Sequence, residues 1–293
     1  MRAPSAPARI RLRSLPAAAG LSWIRRGFRA FWRRPLGFVG LWLFFTLCLF
    51  VIVMAALALT PAFLLGVAAV LPVVTVGFMI ATQDMLDDLK LRPSVFWAPF
   101  AASAPSRRGT LAIMLIYILA AVVLAACANA LDGGEARRWL DAVMQAAHTP
   151  PPEGKPPEIP AMSIAAAGTV RFMVLGLTLV SIPMWYAPAL VHWGGQGVAQ
   201  ALFSSVVAVW RTRAAFFTYM AGWIVIGIAF DALMQLLAAA FGAQAVSLGA
   251  LTGQMILSAT YFVATWFGFS DTFEIVSPGP FRTVMAGGEP PAQ

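Results

Sequence analysis

Charge is scarce in this chain. Only 11% of its 293 residues are Asp, Glu, Lys or Arg, against about 25% in ordinary soluble domains. A surface made from so few charges cannot keep a soluble fold apart from its neighbours, which excludes a soluble globular enzyme and a charged disordered chain. Histidine and cysteine are scarcer, at two each. His148 and His192 cannot build a paired-histidine zinc motif on one helix, so no metal site is expected. Cys48 and Cys127 both fall in apolar runs, where cysteine behaves as a small buried hydrophobe, so a disulfide framework is excluded. There is no Gly-rich phosphate loop and no nucleophile elbow. Neither histidine has an evident catalytic partner, and His192 beside Trp193 reads as part of an interfacial belt. No catalytic residue, no cofactor and no enzymatic activity are therefore expected.

What is abundant is apolar length. Hydrophobic residues make up 60% of the chain and its mean hydropathy is +0.80. A bilayer core about 30 Å thick takes roughly 20 apolar residues in a helix. From Pro35 to Gln83 no charge occurs, which is enough for two spans, 36–59 and 62–82, hinged at Thr60-Pro61. Further spans are read at 109–131, 168–193, 214–240 and 245–269. The runs are too long and too evenly apolar for β-barrel strands, which alternate over about 10 residues. The expected fold is all-α: a single polytopic membrane domain over 21–276 with six transmembrane helices. Pro72, Pro183 and Pro188 are expected to bend spans 2 and 4.

Basic residues set the orientation. Nine arginines precede span 1, and Lys90, Arg92, Arg107, Arg108, Arg211, Arg213 and Arg282 fall on the same side of the predicted spans. The other side holds Arg137, Arg138, Lys155 and Arg171, in and beside a loop at 132–167 that also carries five acids. The positive-inside rule then puts both termini in the cytoplasm. The net charge of +8 reads as membrane orientation, with no nucleic-acid partner. Residues 1–20 are basic and expected to be disordered; an Arg-rich, acid-free start also fits a transit peptide. The excess of Arg, Ala and Pro favours a bacterial inner membrane.

Before span 1, residues 21–34 have helical periodicity. Leu21, Ile24, Phe28, Phe31 and Trp32 share one face, and Arg25, Arg26, Arg29 and Arg33 another, with Arg34 following. A basic amphipathic helix with aromatic anchors is suited to anionic headgroups, although a plain topology anchor has the same pattern. Similar segments precede span 5, with Leu202, Phe203, Val206, Val209, Trp210, Arg211 and Arg213, and span 3, with Val95-Phe96-Trp97 and Phe100. Amphipathic interfacial helices are thus expected before spans 1, 3 and 5, in three repeated units.

Several short motifs carry a family resemblance. They are Gly27-Phe28, Phe31-Trp32-Arg33-Arg34-Pro35, Gly77-Phe78-Met79 and Trp185-Tyr186-Ala187-Pro188-Ala189-Leu190-Val191, followed by Ala201-Leu202-Phe203-Ser204-Ser205 and Trp210-Arg211. Over about 21–273 the chain resembles a group of uncharacterised six-span proteobacterial inner-membrane proteins. That group is similar to the membrane domain attached to some glycerophosphoryl diester phosphodiesterases. The resemblance implies fold and location and brings no catalytic residue, since the phosphodiesterase catalytic domain has no counterpart in this sequence. Ser204-Ser205 reads as satisfying backbone or phosphate groups.

Asp231 is the one acid inside a span, and a carboxylate there is costly. Arg171, near the outer start of span 4 and about one turn away in predicted depth, which a snorkelling arginine can reach, is its expected partner, with Gln235, Gln254 and Ser258 as polar neighbours. A structural pair and a transport-linked carboxylate are both compatible with this pattern. Ala245, Gly249 and Gly253 form a small-residue stripe for packing within the bundle or for a homodimer. In the outer loop, Glu135–His148 has helical periodicity with Trp139, Leu140, Val143 and Met144 on one side. The proline-rich 150–157 reads as an extended linker and 277–293 as a disordered tail. The expected role is a non-enzymatic membrane protein engaging anionic lipid or partner proteins through basic helices. The alternative is a small-solute transporter or channel with Asp231 near its path.

Overall fold

In the computed structural model, residues 9–59, 70–148 and 160–276 are described. The expected turn at Thr60-Pro61, the linker at 150–157 and the tail from Ser277 lie outside them. Among the described residues, five helices or helix pairs are long and apolar enough to cross a membrane: Pro35–Ala55, Ala104–Asp132, Ile164–His192, Arg213–Phe241 and Gln244–Thr272. In chain order the elements are β1 (Arg9–Leu12), α1 (Ala18–Arg33), α2 (Pro35–Leu59), α3 (Val70–Leu86), α4 (Ala98–Ala101), α5 (Ala104–Asp132) and α6 (Glu135–His148). Then follow α7 (Ile164–Met184), α8 (Ala187–His192), α9 (Val198–Arg211), α10 (Arg213–Phe241), α11 (Ala243–Thr272) and β2 (Phe273–Val276). The fold is an all-α polytopic bundle. Within the expected second span, the described helix α3 has 17 residues.

α11 is the hub, packing on α1, α2, α3 and α10. Its half towards Thr272 is buried from Ala259 through Phe269 apart from Tyr261 and Phe262, which are partly so. Aromatic rings fill this region: Phe262 stacks on Phe78 at 5.5 Å and lies 5.6 Å from Trp42, while Trp266 lies 5.2 Å from Trp193. In lipid, helices gain little from leaving their solvent, so such shape-matched contacts hold the bundle together.

The N-terminal region departs from the disorder expected over 1–20. β1 pairs antiparallel with β2, Ile10 opposite Ile275, and α1 begins at Ala18. The two strands sit at the same end as Asp271 and tie the chain's first described residues to its last. Local composition does not signal this, because the partner strand lies more than 260 positions away.

Span 4 is broken, as its prolines predict. α7 ends at Met184 and α8 begins at Ala187. A continuous helix would bond the Tyr186 amide to the Ile182 carbonyl. Instead Ser205 Oγ sits between them, accepting from Tyr186 N–H at 3.0 Å and donating to Ile182 O at 3.3 Å. A hydroxyl inserted in the ladder is a defined cause of a kink, and the expected backbone role of the Ser204-Ser205 pair is met by Ser205.

At the opposite end, α6 covers Glu135–His148 and rests on α7. Asp132 accepts from the amides of Gly134 and Ala136 and from the Thr169 hydroxyl, while Trp139 donates to Pro160 O at 3.0 Å. Glu135 accepts from Ser163 and Arg138, which together hold its carboxyl below the ordinary range.

Candidate functional site

α1 has two unlike faces, and the structure divides them differently from the simple amphipathic reading. Gly20, Trp23, Ile24, Gly27, Ala30 and Phe31 are buried against protein. Close approach explains the glycines: a Cβ on Gly27 would come within 2.6 Å of the Ala264 Cβ, and one on Gly20 within 2.1 Å of the Ala215 carbonyl. Successive contacts of Gly20 with Ala215, Ile24 with Gly222 and Phe28 with Trp223 run in step along α10. α1 therefore lies lengthwise beside α10 and α11, and Ile24 and Phe31 pack on protein where a lipid-facing role was expected. Trp32 remains 61% exposed and Leu21 49%.

The opposite face carries Arg25, Arg29 and Arg33, each four residues from the last, so they form one stripe. All three are exposed, and with Trp32 and the side of Phe28 they line a shallow groove. Among the described residues none of the three has an ion-pair partner. The other two candidate arginines are committed within the protein. Arg26 pairs with Asp271, its Nη1 donating to Oδ1 at 3.2 Å, and its guanidinium lies 4.9 Å over the Phe267 ring. Trp23 Nε1 donates to the same carboxylate at 2.9 Å. Arg34 donates to the Leu89 carbonyl and pairs with Asp88 at 3.5 Å. Asp271 was not singled out from sequence. Its available signal was position, as the first acid after a long apolar run.

The second basic segment, α9, buries Ala201, Ser205, Ala208 and Val209 and turns Phe203, Val206 and Trp210 outward. Arg211 is exposed, and Arg213 lies 5.5 Å over the Trp210 ring and donates to its carbonyl. The segment before α5 is not a regular amphipathic helix. A short 3₁₀ turn, Pro93–Phe96, buries Val95 and Phe96 and leads into the four-residue α4. The three expected units thus take three different forms, because each packs on a different set of neighbours.

The expected Arg171–Asp231 pair does not form. Both side chains are exposed, and no ion pair joins them among the described residues. α7 packs on α5, α6 and α9, while α10 packs on α1 and α11. The two helices meet at the end near Trp185 and Phe216, whose rings are 5.0 Å apart, far along the chain from Asp231. Similar depth did not make them neighbours. Gln235 is exposed one turn from Asp231. Gln254 bonds Ser258 within α11 at 3.4 Å, and both face Trp223 and Tyr261. Of the small-residue stripe, Gly253 abuts Phe230 of α10, where a Cβ would approach within 2.5 Å, so its close contact is inside the bundle. Gly249 faces open space. His192 lies against Trp193, with ring centroids 4.8 Å apart. No group of three metal-ligating side chains occurs among the described residues.

A probable inner membrane protein of Burkholderia thailandensis is 28% identical over 278 residues, covering 92% of this chain and 96% of its own length. No protein-family model matches the chain. No solved structure matches it either. With five bilayer-length apolar helices among the described residues, the chain is a multi-pass inner-membrane protein.

Proposed function

We propose that this is a non-enzymatic inner-membrane protein that holds anionic lipid headgroups on the outward face of α1. One observation carries the reading. Arg25, Arg29 and Arg33 stand exposed in a single stripe beside Trp32 without ion-pair partners among the described residues, while the reverse face of the same helix is clamped into protein. Each arginine near an anionic surface is worth about 1 kcal/mol, and an indole beside it suits the headgroup layer. Trp210, Arg211 and Arg213 extend the same chemistry on α9 and α10.

The proposal includes six spans, with α2 and α3 as the first hairpin, and both termini in the cytoplasm. Arg107 and Arg108 open α5, Arg211 closes α9 and Arg213 opens α10. Their placement at span ends, with α1 docked against the first turns of α10, supports that orientation. Kinship with phosphodiesterase-linked membrane domains belongs to the same reading and rests on the Trp-Arg and Trp-Tyr-Ala-Pro motifs.

Thermal unfolding of the full chain in nanodiscs tests the headgroup reading. Wild type should melt higher in phosphatidylcholine–phosphatidylglycerol discs than in phosphatidylcholine alone, and the combined substitution of Arg25, Arg29 and Arg33 by Gln should remove that difference. A wild-type protein indifferent to the anionic lipid overturns the proposal.

A further inference from the structure

A cavity of about 180 Å³ lies between α3, α5, α7 and α11. Thr265 is seven residues from the end of α11, and Tyr117 is thirteen residues into α5. At about 1.5 Å per residue the cavity is roughly 10–20 Å along these helices from their arginine-rich ends, with Thr265 next to the Ala264 that packs on Gly27 of α1. Its wall is mainly apolar and aromatic, yet five hydroxyl-bearing side chains line it: Thr75, Tyr117, Ser181, Tyr261 and Thr265.

The protons of four of these hydroxyls are already spent. Thr75 donates to Leu71 O at 2.9 Å, Thr265 to Phe262 O at 2.6 Å and Ser181 to Leu177 O at 2.8 Å. Serine has one hydroxyl proton, so in the 2.8 Å contact between Tyr117 and Ser181 the phenol must donate. Each oxygen keeps capacity to accept, and Thr75, Thr265 and Tyr117 retain it with no donor aimed at them among the described residues. The Tyr261 hydroxyl has no hydrogen-bond partner among the described residues, so the wall has one free donor beside its spare acceptors, a set that suits a ligand hydroxyl, which donates and accepts on one atom. Among the described residues no carboxylate or basic side chain lines the space, and an unpaired ion in such surroundings pays a large desolvation cost. In size the cavity compares with one of about 150 Å³ that accommodates benzene.

We propose that this cavity binds a small neutral, ring-sized, membrane-soluble hydrogen-bond donor of the phenol or alcohol class. The ligand's single O–H donates to the Thr75 or Thr265 hydroxyl oxygen, and its body packs against Trp185 and Phe262. The site is independent of the α1 arginines.

Fluorine NMR on the full chain in nanodiscs, with empty nanodiscs as the partition control, tests this. 4-Fluorophenol should bind saturably, and 4-fluoroanisole, which cannot donate, roughly three- to tenfold more weakly, as expected for one lost hydrogen bond. The shape-conserving Thr75→Val/Thr265→Val protein should lose a similar factor for the phenol and none for the anisole. Absence of saturable phenol binding, equal affinity for the two probes, or unchanged phenol affinity in the variant overturns the proposal. The two-probe comparison on wild type decides the matter even if the variant fails to fold.

Discussion

The indole N–H of Trp23 donates to Asp271 across 2.9 Å, and Arg26, one turn along the same helix, grips the same carboxylate. This contact joins the chain's first described helix to the end of its last. Beside it, the Arg9–Leu12 strand pairs with Phe273–Val276. Asp271→Ala leaves an indole donor and a guanidinium without their acceptor, while both side chains of the ion pair remain about one-third exposed. A loss of about 1–3 kcal/mol is expected in chemical unfolding in detergent, reduced from the fully buried case by solvent screening. The Arg26→Ala/Asp271→Ala double variant should cost less than the two singles added together, because the groups act on one another.

Gly27 and Gly249 make a matched pair for substitution. Gly27→Leu drives α1 off Ala264 and should open α1 to limited proteolysis and lower the melting temperature. Gly249 is exposed and a Cβ there meets nothing within 4 Å, so Gly249→Leu should leave both unchanged. Equal effects at the two positions would contradict the packing of α1 on α11.

At the break in span 4, Ser205→Ala strands the Tyr186 amide, while the Ile182 carbonyl keeps the Trp185 N–H at 3.2 Å. Unmet buried backbone groups cost about 1–3 kcal/mol. Amide exchange at Tyr186 should accelerate, with melting lowered accordingly. Unchanged exchange would mean that the hydroxyl does not hold the break.

For Asp231 and Arg171 no shared loss is expected. Neither has an ion-pair partner among the described residues, so Asp231→Asn and Arg171→Gln should act independently of one another, and Asp231→Asn, which removes a charge from inside a span, should not lower stability. A large loss shared by both substitutions would restore the pair.

These contrasts mark which features a sequence can carry in readable form. Long apolar runs announce α5, α10 and α11 because bilayer length is a local property of the chain. Pro183 and Pro188 announce the break between α7 and α8 because a missing N–H acts within one turn. The helical period of 135–148 likewise needs no partner. What depends on neighbours was not legible. Nothing near Arg171 says that α7 will turn towards α5 and away from α10. Nothing near Asp271 says that Trp23 and Arg26 will meet it. Ile24 and Phe31 looked lipid-facing because periodicity identifies an apolar face without naming what covers it. Of the arginines in that helix, only the outward stripe at 25, 29 and 33 was left for a ligand.

The headgroup claim is tested most directly by native mass spectrometry of the full chain released from detergent after equilibration with mixed phosphatidylglycerol and phosphatidylcholine. Wild type should retain phosphatidylglycerol selectively, and the combined Arg25→Gln, Arg29→Gln and Arg33→Gln protein should lose that selectivity while Arg171→Gln keeps it. Retention of the anionic lipid by the triple variant at the wild-type level would contradict the account.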